Sequence, residues 1–208
     1  MRNNVLVPRT DEPPLSLRER RRRRTRAALV EAGGRLFEER GYDETTIADI
    51  AEAAEIGTRT FFHYFESKEQ LLFPASDWRV QAALNAIGSR VGTETPAQVL
   101  LRALDDATAD DEMISPLAQL RLRLIRDVPA VQARALRLQL QAQHDISTAL
   151  TNSYPGFTEV DATALVGAFI GAVSGAIQAL PQAARGKTND IDRKKRLRQA
   201  VATALGQG

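Results

Sequence analysis

The 208-residue sequence predicts an all-α fold, and three observations carry that expectation. Apolar residues recur at helical spacing, as in Ile47, Ile50, Ala51 and Ala54, which form one stripe at i, i+3, i+4 and i+7. The boundaries between periodic segments are helix caps: Thr95-Pro96 and Ser115-Pro116 start helices, and Gly41 stops one. No segment shows the strict alternation of a half-buried strand. With 43% hydrophobic residues, the chain is long enough for one large or two small cores.

Composition narrows the function classes. Cysteine is absent, which excludes disulfides, thiolate zinc sites and cysteine nucleophiles. The two histidines, His63 and His144, show no spacing that suits a metal. A Gly-rich phosphate loop and a nucleophile–base pair are also missing, so the sequence points away from an enzyme and implies no cofactor. Charge is uneven beneath a net value of +2. Residues 18–26 hold seven arginines against one glutamate, whereas residues 27–70 hold four basic and ten acidic side chains. Attraction to nucleic acid would then rest on the arginine arm and a few chosen positions. No apolar stretch follows a charged start at the N-terminus, so a cytoplasmic location is expected.

In chain order, residues 1–16, with Pro8, Pro13 and Pro14, read as a mobile tail. A helix from Ser16 or Leu17 to about Arg40 turns Leu29, Ala32, Leu36 and Phe37 inward, with Gly33 allowing close packing. Its arginine-rich first turns oppose the positive end of the helix dipole, so an anionic partner is expected there. Thr45-Thr46 opens a short helix, and Glu55-Ile56-Gly57 interrupts it, with Gly57 free to take an unusual backbone angle. A second short helix, Thr58–Tyr64, places Phe61 and Phe65 against the first. Ser67 and Gln70 form a capping-box pair for a helix reaching residues 90–92 and bent at Pro74. Two short helices joined by a tight turn, with a capped third, are a helix-turn-helix pattern.

Further helices are expected at 96 to about 109, from Pro116 to near Val128, and from Pro129 to about Asn152. Tyr154-Pro155-Gly156 is a turn. Residues 162–180 are apolar nearly all round, with Gly167, Gly171 and Gly175 at four-residue intervals. The unbroken apolar run, Ala164 to Ile177, is shorter than the roughly 20 residues that span a bilayer. A last helix, about Asp190 to Leu205, begins with basic residues. These two neighbouring helices are expected to present a homodimer face of Leu165, Phe169, Ala172, Ala176, Leu197, Val201 and Leu205. The domain reading is a tail (1–16), a helix-turn-helix domain (17–66) and a helical ligand-binding and dimerisation domain (67–208).

Residues 45–71 closely resemble the tetracycline-repressor (TetR) family of bacterial regulators. The resemblance is carried by Thr45, Thr46, Ile47, Ile50, Ala51, Ala54, Ile56, Thr60, Phe61, Tyr64, Phe65, Ser67, Lys68, Glu69 and Leu71, behind a helix ending in Arg40-Gly41-Tyr42. Departures are Glu55 for the turn Gly, Gly57 for Ser, Arg59 for Gly and Phe62 for the usual Tyr. The FFHYFESKE wording and the arginine-rich approach look most like actinobacterial members near the mycofactocin-type regulators. The resemblance implies a DNA-binding regulator, in most cases a ligand-responsive homodimeric repressor of a palindromic operator.

On that reading, Thr58–Tyr64 is the recognition helix. Arg59 offers guanine its two-donor fork, and His63 lies one turn later on the same face. Phe62 would touch a thymine methyl or a sugar. Thr46, Thr58, Tyr64 and Lys68 are placed for phosphates, and Thr45, Thr60, Arg22, Arg23 and Arg24 complete the expected DNA contacts. The second domain is larger than dimerisation needs, so a pocket between helices is expected, and the resemblance implies a small-molecule effector there, an acyl-CoA or another hydrophobic anion. Its candidate lining is Phe73, Trp78, Met113, Leu117, Leu120, Arg121, Leu124, His144 and Phe169. The alternative is a peripheral membrane or acyl-ligand-binding helical protein without a DNA role. It is weakened because the arginine turns carry almost no apolar residues.

Overall fold

A computed structural model describes residues 16–74, 76–108, 115–179 and 187–207, so the expected mobility of residues 1–15 falls outside the described residues. The described chain is helical throughout, in agreement with the all-α expectation, and no strand occurs among the described residues. The first helix, α1 (Leu17–Arg40), starts at Ser16, which joins the helix as its cap and exchanges hydrogen bonds with Glu19. Helices α2 (Ile47–Ala53) and α3 (Thr58–Phe61) cross beneath it. A 3-10 turn (Lys68–Leu72) then leads into α4 (Ser76–Gly88), α5 (Pro96–Thr108), α6 (Pro116–Asp127), α7 (Pro129–Ser153), α8 (Glu159–Ala179) and α9 (Lys187–Ala204).

Two cores organise these helices. One gathers Leu29, Leu36 and Phe37 of α1 with Ile50, Phe61, Phe65, Leu71 and Leu72, and it also takes Leu120 from α6 and Val131 from α7. The other joins α4, α5, α7, α8 and α9 around Val99, Leu100, Leu150, Val166 and Val201. At its edge Arg102 bonds Glu94, and that guanidinium, with the Val91 N–H, holds the Glu94 carboxyl down at about 2.

Gly33 fulfils its expected packing role. A Cβ there would lie 2.6 Å from Leu71 Cδ1, so the missing side chain is the notch into which Leu71 fits. Other expectations need correction. The recognition segment is helical only over Thr58–Phe61, and Phe62 to Tyr64 continue it as turns. Ser67 makes no side-chain cap; the Gln70 Oε1 instead accepts the Glu66 N–H at 2.6 Å. The helix expected from Ser67 onward is a 3-10 turn and α4, separated at Phe73-Pro74. Pro74 pushes its predecessor out of the α region, and Phe73 sits at φ −125°, ψ 47°.

Gly57 has an ordinary φ of −77°, and the left-handed residue is Glu55 at +55°. Glu55 N–H reaches the Glu52 carbonyl and Ile56 N–H the Ala51 carbonyl, the bond pair of a Schellman motif whose left-handed position favours glycine.

The residues expected at a dimer face pack within the protomer. Phe169, Leu197 and Val201 are buried in the protomer's own core, and Leu165, Ala172, Ala176 and Leu205 pack against it. In a helix apolar all round, periodicity does not tell which face meets the neighbours. The face left outside carries Val160, Ala164, Ala168, Gly171 and Gly175. At 21 residues, α8 is long and apolar enough to cross a membrane by length and composition, although its unbroken apolar run is shorter, and little of it is buried within the chain.

Left-handed backbone costs a non-glycine residue about 1 kcal/mol. Glu55→Gly is therefore expected to stabilise the fold by about 1 kcal/mol, raising the thermal midpoint by about 3 °C. Differential scanning calorimetry of the two proteins checks this, and an unchanged or lower midpoint would count against strain at Glu55.

Candidate functional site

The outer surface of the helix-turn-helix is set by two rings beneath it. Phe61 and Phe65 are buried 5.9 Å apart, centroid to centroid, so the residues between and before them face outward. Thr58, Arg59, Thr60 and His63 are exposed, Tyr64 is half-buried, and Phe62 remains 53% exposed although it stacks edge-on against Phe61. The Gly57 carbonyl accepts the Thr60 and Phe61 N–H groups and opens the turn. A bare Phe ring of that exposure in water lacks the burial that usually accompanies an aromatic residue.

The arginine start of α1 lies beside this surface. Arg26 Nη1 donates to the Tyr64 carbonyl at 3.4 Å, and its guanidinium sits 4.5 Å from the Phe65 ring centroid. Leu17, Arg18, Glu19, Arg21 and Arg22 form a groove of about 820 Å³ with His63 and Tyr64. Of the expected arm residues, Arg22 thus shares a groove with the α3 segment, while Arg23 and Arg24 are exposed on α1 nearby. Arg18 and Arg21 were missed as individual residues, although the charge count over 18–26 pointed to the whole run.

Thr46 caps α2. Its side chain accepts the Asp49 N–H and donates to the Asp49 carboxylate, which also accepts the Thr46 N–H, and these bonds hold the Asp49 carboxyl below its usual range. Thr46 remains exposed. Two expected DNA contacts are instead structural. Thr45 is fully buried and its hydroxyl donates to the Gly41 carbonyl at 2.7 Å and to the Leu36 carbonyl at 3.3 Å. Lys68 Nζ donates to the Tyr42 carbonyl at 2.6 Å and the Thr45 carbonyl at 2.9 Å, and lies 4.2 Å from the Tyr42 ring centroid. Thr45 fastens the loop before α2 back onto the end of α1, and Lys68 ties the 3-10 turn to that loop. Their place in the motif did not reveal this, because it depends on where residues 41–45 fold back.

A second concavity lies deeper in the chain. A cavity of about 610 Å³ opens between α4, α6, α7 and α8. Phe73 and Arg121 of the expected ligand set line it, together with Arg79, Val80, Leu84, Leu122, Ile125, Leu138, Ile170, Val173 and Ile177, none of which was foreseen. The remaining candidates are elsewhere. Leu117 and Leu120 face a separate groove of about 590 Å³ between α1 and α6. Leu124 packs on the helix-turn-helix core, Phe169 belongs to the other core, and His144 lines a surface groove with Thr148 and Thr163. The Trp78 side chain and Met113 lie outside the described residues. Helix α6 has two apolar faces, and the sequence reading chose the one that turns toward α1.

This arrangement defines a helix-turn-helix protein: a short exposed helix held on a buried aromatic pair, followed by a larger helical body. Residues 29–74 match the family described as bacterial regulatory proteins, tetR family. That match is confined to the N-terminal helix-turn-helix region. It is 35% identical over 127 residues to the HTH-type transcriptional regulator TcmR of Streptomyces glaucescens, covering 58% of this chain and 56% of that protein. It is 29% identical over 124 residues to MftR of Mycobacterium tuberculosis, a mycofactocin biosynthesis transcriptional regulator by description, covering 57% of this chain and 60% of that one. The chain thus spans little more than half the length of these relatives. Among solved structures, Thermus thermophilus FadR, a TetR-family transcriptional repressor in complex with lauroyl-CoA, superposes with a TM-score of 0.55 at 18% identity, over 88% of this chain and 94% of that one. That likeness concerns the fold.

Removing the Lys68 ammonium leaves two carbonyls short of a donor, so Lys68→Met is expected to cost about 2 kcal/mol of stability. Urea titration should show a lower midpoint at unchanged slope. If Lys68 were chiefly a phosphate contact, stability would hold and the salt slope of DNA binding would fall by about 0.9 instead.

Proposed function

We propose that the protein is a DNA-binding transcriptional regulator that acts as a homodimer on a palindromic operator, represses its target, and responds to a small-molecule effector. The observation that carries this reading is the outward set of Thr58, Arg59, Thr60, Phe62 and His63 on buried Phe61 and Phe65, with the arginine start of α1 alongside. The relatives are named as transcriptional regulators, which supports a regulator over an enzyme. A DNA-bound regulator of this kind works in the cytoplasm.

In this proposal Arg59 reads a guanine through its planar fork, His63 reads from the next turn, and Phe62 rests on a thymine methyl or a sugar. Thr46, Thr58 and Tyr64 contact phosphates, and Arg22, Arg23 and Arg24 follow the backbone with Arg18 and Arg21. Residues 27–70 carry ten acidic against four basic side chains, so the arm and a second subunit are needed to hold a polyanion. The second subunit would cover the exposed α8 face of Ala164, Ala168, Gly171 and Gly175, where small side chains let another helix approach closely. The cavity between α4, α6, α7 and α8 receives the effector, and the domain that reads DNA runs from Ser16 through the 3-10 turn.

Selection of bound duplexes from a random pool tests the reading, with an inverted repeat as the expected product. On that sequence Arg59→Ala should cost about 1–3 kcal/mol while leaving random-duplex affinity nearly unchanged. Equal loss on both duplexes would reduce Arg59 to a phosphate contact, and no enriched repeat would overturn the proposal.

A buried glutamate is strongly disfavoured at a packed interface. Ala168→Glu is therefore expected to yield a helical monomer by sedimentation velocity, with operator binding lost. A dimer that survives this substitution would place the interface on another face.

A further inference from the structure

Phe62 sets a chemical question that the regulator reading leaves open, and the inference drawn from it rests on that reading. Its ring is 53% exposed, while every other phenylalanine and tyrosine among the described residues is buried or half-buried. The ring packs edge-on against Phe61, with centroids 5.5 Å apart and planes at 83°, which anchors it on a buried neighbour and leaves the rest of it open. It carries no hydrogen-bond donor and no charge, so a phosphate gives it nothing. Any benefit from its exposure has to come from an apolar group on a partner, through the burial of both surfaces.

The neighbours of Phe62 divide by the chemistry they suit. His63 and Tyr64 line the groove with Leu17, Arg18, Arg21 and Arg22 of α1, the side on which cations meet phosphates, and Phe62 stands outside that groove. Arg59 lies three residues earlier in the same turn, because Thr58–Phe61 is helical and Phe62 keeps an αR backbone as its C-cap. Side chains at that spacing share a face, with Cβ atoms about 5–6 Å apart. Bases on one strand follow at about 3.4 Å, so Arg59 and Phe62 reach base edges roughly one or two steps apart. The floor of the major groove offers polar edges at every pair and one kind of apolar group, the 5-methyl of thymine, which accepts contact from a Phe ring. 5-Methylcytosine carries the same methyl at the same place. Sugars lie along the groove walls with the phosphates, the side that His63 and Tyr64 face. We propose that Phe62 reads the 5-methyl group of a pyrimidine beside the guanine of Arg59. Thymine and 5-methylcytosine are both accepted there, and binding to a site with cytosine at that place depends on its methylation.

The test uses the full chain on the inverted repeat that selection enriches, with affinity measured by fluorescence anisotropy at one salt concentration. Thymines of the two half-sites are replaced by uracil, which lacks only the methyl, one symmetric pair at a time. One pair is expected to respond, by about fourfold per half-site and about fifteenfold for the pair, the worth of one buried methyl group at each. That thymine should lie within about two base pairs of the guanine whose replacement Arg59→Ala no longer senses. With a C·G pair at the same position, methylation of the cytosine should tighten binding by about fourfold per half-site. Phe62→Ala should bind the thymine and uracil duplexes alike, and Phe62→Leu, apolar but smaller, should keep part of the difference.

A repeat without a constant thymine near that guanine, uniform tolerance of uracil, or equal affinity for methylated and unmethylated cytosine would each overturn the proposal. A uracil difference that survives Phe62→Ala would overturn it too, and would make the ring a contact to sugar or a wedge between bases. Should Phe62→Ala fail to fold by circular dichroism, the uracil scan and the cytosine pair on the unmodified protein, with Phe62→Leu, decide the matter. Absence of any enriched repeat defeats the regulator reading and this inference with it, whereas an enriched repeat indifferent to uracil defeats this inference alone.

Discussion

The seating of Leu71 in the notch at Gly33 is the contact on which the two halves of the chain depend. It fixes the 3-10 turn against the middle of α1, and four other hydrogen bonds finish the attachment. Lys68 ties the start of the turn to the carbonyls of Tyr42 and Thr45, Tyr42 donates its hydroxyl to Glu69 at 3.2 Å, and Arg121 holds the Leu72 carbonyl. Burial and the neighbouring Glu69 carboxylate push the Tyr42 phenol up, so it remains a neutral donor. A five-residue turn therefore joins the core beneath α3 to the helices around the cavity. A side chain at Gly33 would meet the terminal methyl of Leu71, so that leucine would have to shift within the core in which it is fully buried.

That attachment explains the division of labour along the motif. Residues with the highest burial, Thr45, Phe61, Phe65 and Leu71, hold the scaffold, while Thr58, Arg59, Phe62 and His63 stand outside it. The recognition segment has only one turn of regular α-helix, so its shape comes from the rings below it more than from its own hydrogen bonds. On the proposed DNA-reading role, the surrounding acidic residues would give this segment little affinity of its own for a polyanion.

Helix count, caps and the inward stripe of α1 were legible because each rests on residues close in sequence. Ser115 and Thr95 cap as their spacing implies, and Leu29, Leu36 and Phe37 point inward together. Legibility failed where two local signals competed or where the deciding partner was distant. Pro74 overrode the capping pair at Ser67 and Gln70. The left-handed angle fell on Glu55 because the bonds of the Schellman turn place it one residue beyond Ala54, regardless of which residue is glycine. Lys68 and Thr45 are structural through carbonyls brought near by the fold. For α6 and α8, both apolar on more than one side, the inward face was decided by neighbours that the sequence does not name, which moved Leu117, Leu120, Leu124 and Phe169 away from the cavity and turned the residues expected at a dimer face toward the protomer's own core.

The first turns of α1 carry a consequence of their own. Residues 16–24 are exposed, so the capping box of Ser16 and Glu19 works there without support from a core, against arginines that repel one another one turn apart. Dissolved ions weaken that repulsion, and they also weaken the pull of the same arginines on a polyanion. Added salt thus favours the helical form of the arm while weakening its attraction for any polyanion. A phosphate backbone would differ from bulk salt in neutralising the arginines only where it lies against them.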